Sequence, residues 1–552
     1  MPVITIEFDR LRNYIDEDPS EFKKWIAWIG VDIEDVTDEY IKIEYNPNRP
    51  DYGTLIGILR TYKGLKNLER GIIKYNINNS FSKKYSVTVK SSVKNVRPYI
   101  ATLVAKNIHL DEALLTELIE FQEDLHQGIG RKRRKISIGL HNFDIIKFPV
   151  KYKTVDSDFK FIPLESNTEM SIHDILAYHP KGIEYGYILE GVSQYPILID
   201  REGKVLSFPP IINGIDTIVT VDTRNLFIDV TGIDFNLVLK TIDILAATLH
   251  DYGAELYLTQ INDPEVGIYN TPKLEYDEIE IDIDDVNRLL GLNLSLNDII
   301  SSIEASRLGV KSVSGKKIKV IIPPYRIDIL HPVDIIEDIA IGYGFWKLKP
   351  DLNIFFTIGS LDTRTIIIEE IVDTLVGLGF QETIHSHLSN LDILYNRMNF
   401  HENNYLEVEH SKTPSYKVLR TWIIPQLLES LEISKKEEYP QKIFEIGYVF
   451  NKSNIEGELH LACAIAGPNV SYNDIKAVLD SIMMIYNKKG YTINPIKHSS
   501  FIPGRVGKIY YNETDCGVIG EIHPDVLLNF KLEVPIACLE IDVKKLFNEY
   551  FI

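Results

Sequence analysis

The sequence predicts an α+β protein built from several domains. Its 552 residues are several times the length of one ordinary domain, so about three to five domains are expected. The composition, with 45% hydrophobic and 25% charged residues, is typical of globular proteins. Strand-like alternation and helix-like periodicity both recur along the chain. These patterns divide it into four predicted domains, at residues 1–88, 89–270, 271–346 and 347–552.

The first region reads strand, helix, strand, helix, which predicts an α/β module. Its segments are VITIEF, PSEFKKWIAWIG, EYIKIEYN and TLIGILRTYKGL, with the proline-rich turn NPNRPDYG at residues 46–53. The polar stretch at residues 76–86 is expected to be a linker. In the second region, alternating strands are predicted at YIATLVAKNI, GIEYGYILEG, YPILIDREGKVLSF and LFIDVTG. They accompany the long helix FNLVLKTIDILAATLHDYG, which predicts an α+β domain.

The third region predicts a small winged-helix-like domain. Two short helices, at residues 284–292 and 296–309, precede a strand at residues 316–323. From about residue 350 onward, long amphipathic helices alternate with strands such as QKIFEIGYVF and LHLACAIAG. Strands joined by hairpins and flanked by helices predict an antiparallel sheet domain.

Composition excludes several classes of protein. The formal net charge of -20 argues against a protein that coats nucleic acid nonspecifically, since phosphate binding needs clustered cations. Cys463, Cys516 and Cys538 lie in apolar contexts without CxxC spacing, so we expect small core residues rather than disulfides or a zinc site. Neither a membrane-spanning run nor a signal peptide is recognisable, which favours the cytoplasm and no membrane partner.

Signatures of independent nucleotide chemistry are missing from the sequence. It contains no GxxxxGK[ST] phosphate loop, no HExxH, no GxSxG elbow and no GxGxxG after a strand. We therefore do not expect this chain to be a self-sufficient nucleotide enzyme.

Five adjacent cations stand out in so acidic a chain: Arg131, Lys132, Arg133, Arg134 and Lys135. One interpretation is a solvated loop face, which the pattern alone favours. The other is a set of contacts to nucleic-acid phosphates, which salt would weaken.

Polar groups also occur at predicted strand ends between residues 207 and 232. Ser207 and Asn213 flank a rigid FPP turn, and Asp229 lies inside the apolar run LFIDV. Side chains that satisfy backbone groups of the turn would explain the first two. A carboxylate within an apolar strand needs a buried partner or a function.

An acidic helix is predicted to begin at Pro332. Within it, Asp334, Glu337 and Asp338 have the spacing i, i+3 and i+4, which predicts one acidic face opposite the intervening isoleucines. The helix dipole or solvent can accommodate such a face, and the pattern alone favours solvation. A hard cation such as Mg²⁺ is the other interpretation, with Asp328 upstream as a further ligand.

Taken in order, these stretches resemble the β subunit family of phenylalanyl-tRNA synthetases, in the shorter form of archaea and the eukaryotic cytosol. The likeness spans nearly the whole chain. It rests on NPNRPD (46–51), GIGRKRRKISIGLHNFD (128–144), SFPPIIN (207–213), LFIDVTG (226–232), PPYRIDILHPVDIIEDIAIGYGF (323–345), EIGYVF (445–450) and GVIGEIHPDVL (517–527).

The resemblance implies a heterotetramer of two α and two β subunits that attaches phenylalanine to tRNA(Phe) with ATP. The aminoacylation site would lie on α. The C-terminal region of this chain would be a degenerate class II synthetase domain without a synthetic active site. The family's magnesium-binding acids fall on Asp328, Asp334, Glu337 and Asp338, where Asp338 is one methylene shorter than the family's frequent glutamate.

The resemblance also implies that the second region is an editing domain that hydrolyses tyrosine wrongly attached to tRNA(Phe). A hydrophobic pocket that merely accepts an added hydroxyl discriminates by only about a hundredfold, so a second, hydrolytic site is useful. Ser207, Asn213 and Asp229 are the candidates for that pocket. The alternative is a structural or tRNA-binding subunit without editing activity.

Overall fold

The computed structural model describes residues 2–80, 82–350 and 357–548. The chain forms two compact units, Met1–Leu352 and Asn353–Ile552. Both combine helices with mainly antiparallel sheets, which confirms the predicted α+β class.

The first unit begins with an antiparallel three-stranded sheet, in the order β1-β3-β2, packed against helices. Its elements are β1 Val3–Glu7, α1 Phe8–Leu11, α2 Pro19–Ile26, β2 Asp32–Val36, β3 Tyr40–Glu44 and α3 Leu55–Leu65. The side chains of Asp18 and Thr54 cap α2 and α3, which explains where these predicted helices begin. Strand β2 was not predicted, because its alternating acidic residues lie exposed at the sheet edge.

Two larger sheets follow, in the orders β13-β12-β11-β8-β5-β16-β17 and β4-β15-β6-β14-β7. Their strands are β4 Ile77–Asn78, β5 Ser86–Val89, β6 Tyr99–Lys106, β7 Ile136–Asn142, β8 Val150–Val155, β9 Lys160–Phe161, β10 Met170–Ser171, β11 Tyr195–Ile199, β12 Val205–Phe208, β13 Ile212–Asn213, β14 Leu226–Gly232, β15 Glu255–Tyr257, β16 Thr259–Asp263 and β17 Gly267–Thr271. The helices are α4 Glu112–Gln127, α5 Ile172–Tyr178, α6 Pro180–Tyr185 and α7 Phe235–Asp251.

The five-stranded sheet separates two apolar cores, because successive residues of a strand face opposite sides. Leu103 and Ile228 pack toward α4 and α7. Val104 and Phe227, their neighbours in sequence, pack toward the seven-stranded sheet. Residues 76–86 are not the simple linker that the sequence predicts, because they contain β4, which pairs in parallel with β15.

The third part of the first unit contains β18 Asp277–Asp282, α8 Ile283–Leu290, α9 Leu296–Ala305, β19 Gly309–Ser314, β20 Lys317–Ile322 and α10 Pro332–Tyr343. An antiparallel sheet in the order β18-β20-β19 packs against the three helices. The sequence predicted α8, α9, β20 and α10. It missed β18 and β19, whose polar residues are largely exposed.

The second unit is a seven-stranded sheet in the order β21-β24-β25-β29-β28-β27-β26, antiparallel except for the pair β21/β24. Its strands, with the short pair β22/β23, are β21 Gln381–Glu382, β22 Leu388–Ser389, β23 Val418–Leu419, β24 Gln441–Asn451, β25 Asn454–Ala466, β26 Thr492–Pro495, β27 Phe501–Tyr511, β28 Thr514–Ile522 and β29 Ile536–Asp542. The helices are α11 Thr363–Gly377, α12 Ile424–Ile433, α13 Tyr472–Ile485, α14 Pro524–Asn529 and α15 Val543–Leu546.

Helices cover both faces of this sheet, as the predicted antiparallel domain requires. Helices α11, α13 and α15 contribute to one core, and α12 and α14 to the other. Cys463, Cys516 and Cys538 are buried and unpaired, which confirms their expected role as small core residues. Among the described helices, none is long and apolar enough to cross a membrane.

Candidate active site

A cavity of about 380 Å³ lies in the first unit beside strands β7 and β14. Helix α4 forms one wall, and the β12–β13 hairpin forms another. Leu115, Ile119, Leu140 and Leu164 make much of the lining apolar. The volume falls in the usual range of small-molecule pockets, roughly 300–1,000 Å³. We call this the α4/β14 cavity.

The three predicted editing residues all line the α4/β14 cavity. Ser207 and Asn213 lie directly opposite each other in the β12–β13 hairpin, at either end of the FPPII turn. Asp229 enters from the middle of β14 and is 1% exposed. The structure therefore brings together residues that are 22 positions apart in the chain.

Asp229 is fixed by a chain of buried hydrogen bonds. His141 Nε2 lies 2.8 Å from Asp229 Oδ1, and His141 Nδ1 lies 2.9 Å from the hydroxyl of Thr217. A carboxylate only accepts hydrogen bonds, so Nε2 donates to Asp229, and Nδ1 pairs with the Thr217 hydroxyl. Asp229 therefore has the buried partner that an acid in an apolar strand requires.

Gly139 makes this arrangement possible from the neighbouring strand. It pairs with Asp229 between β7 and β14. A Cβ at position 139 would lie 2.5 Å from Asp229 Oδ1 and 2.6 Å from His141 Nε2. Only glycine leaves room for the hydrogen bond between these two side chains.

Two polar atoms in residues that line the cavity are buried with no hydrogen-bond partner among the described residues. They are Ser207 Oγ and Arg133 Nε. An unpaired buried polar group costs about 1–3 kcal/mol, so such groups are uncommon in folded proteins. At this cavity, both atoms are available to hydrogen-bond a polar ligand.

The basic run has two parts with different surroundings. Arg131, Lys132 and Arg133 all have positive φ, between 47° and 62°. Arg131, Lys132 and Arg134 are exposed, whereas Arg133 is 6% exposed. The prediction of Arg133 as a surface phosphate contact is therefore wrong, because its side chain turns inward to the cavity wall.

Arg133 holds the FPPII turn in place. It donates hydrogen bonds to the carbonyls of Pro210 and Ile211, at 3.3 and 2.9 Å, and to Glu123 Oε1 at 2.5 Å. Burial raises the pKa of Glu123, but the hydrogen bond from His126 and the charge of Arg133 outweigh burial and hold the pKa at about 2. Glu123 thus remains a carboxylate that anchors this wall.

Three polar or positioning residues of the site were not predicted from the sequence: Gly139 and Thr217, which line the cavity, and His141, which holds Asp229. The signal for two of them was present in the alternating segment ISIGLHNF, where Gly139 and His141 fall on one face of a strand. Thr217 follows the β12–β13 hairpin, and the sequence around it contains no comparable pattern that would identify it as a site residue. Only the fold shows that its hydroxyl meets His141.

The four acids predicted to bind magnesium have different environments. Asp334 Oδ2 accepts hydrogen bonds from the backbone N–H groups of Leu330 and His331, both at 2.8 Å, and so caps α10. Glu337 is exposed. The prediction of one acidic face is wrong for Asp338, which is 4% exposed.

Arg326 explains why Asp338 is buried. It donates from Nη2 to Asp338 at 2.7 Å and binds both oxygens of Asp328, at 2.9 and 2.7 Å. Burial lowers the pKa of Arg326, but Asp338 and Asp328 raise it well above its ordinary value. Burial raises the pKa of Asp328, yet Arg326 and Arg49 hold it below its ordinary value.

This arrangement does not fit a magnesium site made of all four acids within this chain. A guanidinium already occupies the position between Asp328 and Asp338, and Asp334 uses one oxygen to cap the helix. Among the described residues, no three of these acids place their ligand atoms within 4.8 Å of one another, as a metal-binding group would. Only Asp334 and Glu337 remain on the solvent side.

Two family models match the chain, and one of them covers α10 and the acids around it. Residues 279–345 match the tRNA synthetase B5 domain, and residues 353–543 match the phenylalanyl tRNA synthetase beta chain CLM domain. Together with the multidomain α+β fold, these matches define a subunit of a tRNA synthetase.

Similar proteins cover the whole chain. A phenylalanine–tRNA ligase beta subunit from Archaeoglobus fulgidus is 38% identical over 551 residues, 99% of each chain. One from Methanocaldococcus jannaschii is 39% identical and spans 99% of this chain and 100% of its own. An N-terminal fragment of the phenylalanyl-tRNA synthetase beta subunit from Pyrococcus horikoshii superposes with a TM-score of 0.59 and 33% identity, over 62% of this chain and 99% of that one.

The chain belongs to the family of phenylalanine–tRNA ligase β subunits. The resemblance inferred from the ordered motifs is thereby confirmed. The chain is accordingly a ligase subunit, which agrees with its lack of independent nucleotide-binding motifs.

Proposed function

We propose that this chain acts with an α subunit, as an α2β2 heterotetramer in the cytoplasm, to attach phenylalanine to tRNA(Phe) with ATP. Family membership supports the reaction, and the missing nucleotide motifs support a synthetic site on α. The chain purified without α should form no phenylalanyl-adenylate. Native mass spectrometry of the assembled complex should give two copies of each subunit. Adenylate synthesis by the β chain alone would contradict the proposal.

The chain's own chemistry in this proposal is the hydrolysis of mischarged Tyr-tRNA(Phe) in the α4/β14 cavity. One observation carries it: Ser207, Asn213 and Asp229 meet at one cavity, where the buried Ser207 hydroxyl has no hydrogen-bond partner in the described part of the chain. The apolar wall suits an aromatic ring, and the polar side suits an ester.

The residues have distinct proposed roles in ester hydrolysis. Water attacks the ester carbonyl carbon, the bond from that carbon to the ribose oxygen breaks, and the proton that the water loses passes to the ribose oxygen. The products are free tyrosine and uncharged tRNA(Phe). Asp229, held through Oδ1 by His141, orients the attacking water. The Ser207 hydroxyl donates a hydrogen bond to the carbonyl oxygen as negative charge develops there. The amide of Asn213 positions the ester on the opposite side of the hairpin.

The test is deacylation of Tyr-tRNA(Phe) by the reconstituted complex. We expect Asp229→Asn, Ser207→Ala and Asn213→Ala to slow hydrolysis while phenylalanylation is unchanged. Ser166→Ala, which removes a partly exposed hydroxyl that bonds only within its own loop at Thr168, is the matched control. Unchanged deacylation in Asp229→Asn would remove Asp229 from the mechanism. A wild-type rate equal to the uncatalysed rate would favour a structural or tRNA-binding subunit without editing.

The exposed part of the basic run is the proposed phosphate contact for tRNA. Arg131, Lys132 and Arg134 are exposed in the sequence segment that contains the cavity residue Arg133. Replacing one of them by Gln should weaken tRNA binding and lower the slope of log K against log salt by nearly one unit. A slope identical to that of the wild type would exclude the residue as a phosphate contact.

For magnesium, we propose binding only in the assembled complex, through Glu337 and Asp334 on the solvent side of α10. Asp328 and Asp338 stay paired with Arg326. Mn²⁺ soaked into crystals of the complex should then give an anomalous peak beside Glu337. A peak between Asp328 and Asp338, with Arg326 displaced, would contradict this assignment.

A further inference from the structure

A second group of potential ligands lies in the second unit, remote in sequence from every residue predicted to have a function. Glu458, His460 and Asp542 place one ligand atom each within 4.8 Å of the others. His460 and Asp542 are paired residues of β25 and β29. Glu458 precedes His460 by two positions and therefore shares its face of the sheet.

His460 is held in the orientation that metal-binding histidines adopt. Its Nδ1 lies 2.8 Å from Glu540 Oε1. The other carboxylate oxygen of Glu540 accepts hydrogen bonds from the backbone N–H groups of Ile423 and Ile424, at 2.9 and 3.0 Å. Glu540 is thus fixed as the acceptor for Nδ1–H, and in the neutral ring the lone pair lies on Nε2.

The Nε2 atom of His460 is buried and has no hydrogen-bond partner among the described residues. Its nearest acidic oxygen, Glu458 Oε2, is 3.7 Å away, which is too long for a hydrogen bond. A cation between them would bind Nε2 at about 2.0–2.1 Å and a carboxylate oxygen at about 2.0–2.2 Å, distances that such a separation accommodates.

The cluster is also open on one side. Glu458 and Asp542 line a cavity of about 1010 Å³ that extends past the N terminus of α15. Asp542 Oδ1 accepts a hydrogen bond from the Lys545 N–H and caps α15, so Oδ2 is the oxygen left for a cation. The Lys545 ammonium lies 2.8 Å from Asp542 Oδ2 and is attached to a side chain that is 47% exposed. This ammonium can move into solvent when a divalent cation takes its place beside Asp542.

A purely structural role for a charged histidine is the competing explanation. Burial lowers the pKa of His460, but the neighbouring carboxylates of Glu458, Glu540 and Asp542 raise it to about 9. A charged ring would direct a proton on Nε2 toward Glu458. The 3.7 Å separation leaves that proton without a hydrogen bond, so the charged form does not satisfy the site.

We propose that Glu458, His460 and Asp542 bind one first-row divalent transition-metal ion of the Zn²⁺ class. Imidazole nitrogen is a good ligand for zinc and its neighbours, whereas Mg²⁺ and Ca²⁺ prefer oxygen ligands alone. Three protein ligands leave at least one position open toward the cavity. The bound ion joins β25 to β29 and to the start of α15.

The experiment uses the full chain, treated with a chelator and then titrated with Zn²⁺ by calorimetry. The test variants are Glu458→Gln, His460→Gln and Asp542→Asn. Glu456→Gln is the matched control, because Glu456 is an exposed glutamate on the same strand and lines the same cavity without belonging to the cluster. Thermal melting of each variant without metal checks its fold, and Glu458→Gln, at the partly exposed edge, is the change least expected to disturb folding.

We expect one equivalent of Zn²⁺ per chain in the wild type and in Glu456→Gln. Each test variant should weaken binding by about tenfold or more. Co²⁺ in place of Zn²⁺ should give visible absorption bands that Glu458→Gln abolishes. The proposal is overturned if the wild type binds no equivalent of Zn²⁺, or if its binding persists unchanged in Glu458→Gln and His460→Gln, since the ion would then lie elsewhere.

Discussion

The α4/β14 cavity and the acidic helix α10 both place carboxylates among apolar residues, yet they differ in how their polar atoms are paired. Around α10, Arg326 binds both Asp328 and Asp338. In the cavity, Asp229 is paired with His141, but Ser207 Oγ and Arg133 Nε have no partner among the described residues. Incomplete pairing at a cavity indicates a ligand site, whereas complete pairing indicates a structural one.

The largest expected effect tests the structural role of Arg326. Arg326→Met leaves the buried Asp338 and the partly buried Asp328 without the guanidinium that pairs them, so the free energy of unfolding should fall by about 3–5 kcal/mol. Urea unfolding of the full chain can be followed by tryptophan fluorescence, since Trp346 lies just beyond α10 and packs on Trp25. Arg288→Met, which breaks the exposed pair with Asp285, should cost no more than about 1 kcal/mol. Equal effects of the two changes would refute the comparison.

A second change disrupts the cavity without removing any of its polar groups. Gly139→Ala forces Asp229 and His141 apart, because the new Cβ overlaps both. On the proposed mechanism, kcat/KM for Tyr-tRNA(Phe) deacylation should fall about a hundredfold, the loss typical of a misplaced catalytic group. Gly377→Ala has open space around the new Cβ and serves as the control. Deacylation at the wild-type rate in Gly139→Ala would show that this hydrogen bond is not needed.

A third test measures how the stability of the fold depends on pH through His126, a residue of α4. Burial lowers the pKa of His126 to about 4, and its Nε2 accepts a hydrogen bond from the Ile138 N–H. The pKa of His126 is lower in the folded state than in the unfolded state, where it is about 6.5. The free energy of unfolding is therefore unaffected at pH values above about 6.5, and it falls as the pH drops toward 4. The loss between pH 7.5 and pH 5 should be about 2 kcal/mol. In His126→Gln, the same pH interval should produce a correspondingly smaller change, and an identical pH profile would disprove the assignment.

The smallest expected change in stability belongs to Ser207→Ala, which tests most directly whether the unpaired hydroxyl serves a ligand. Ser207→Ala removes a buried hydroxyl that has no partner among the described residues, so the free energy of unfolding should change by less than about 0.5 kcal/mol. Deacylation should nevertheless fall. Urea unfolding and the deacylation assay on the same preparation separate the two effects. A large loss of stability would mean that the hydroxyl serves the fold rather than a ligand.

Local patterns predicted most of the long helices and some of the strands, because capping residues and apolar periodicity act over a few positions. They were wrong for GIEYGYILEG, a predicted strand that instead forms part of α6 and the helical turn after it. Asp18 and Thr54 begin two predicted helices in the structure. Strands β2, β18 and β19 were missed because their exposed polar residues lack an apolar pattern. Their identity as strands comes from backbone pairing with a neighbour.

The sequence by itself determined the family and three cavity residues, Ser207, Asn213 and Asp229, since ordered motifs are local features of the chain. Only the tertiary structure decided the partners of each polar group. It directs Arg133 inward, buries Asp338 beside Arg326, and brings His460 to Asp542 across two paired strands. Burial and pairing arise between segments distant in sequence, and they set the cost of each charge and thus whether it stabilises the fold or binds a ligand.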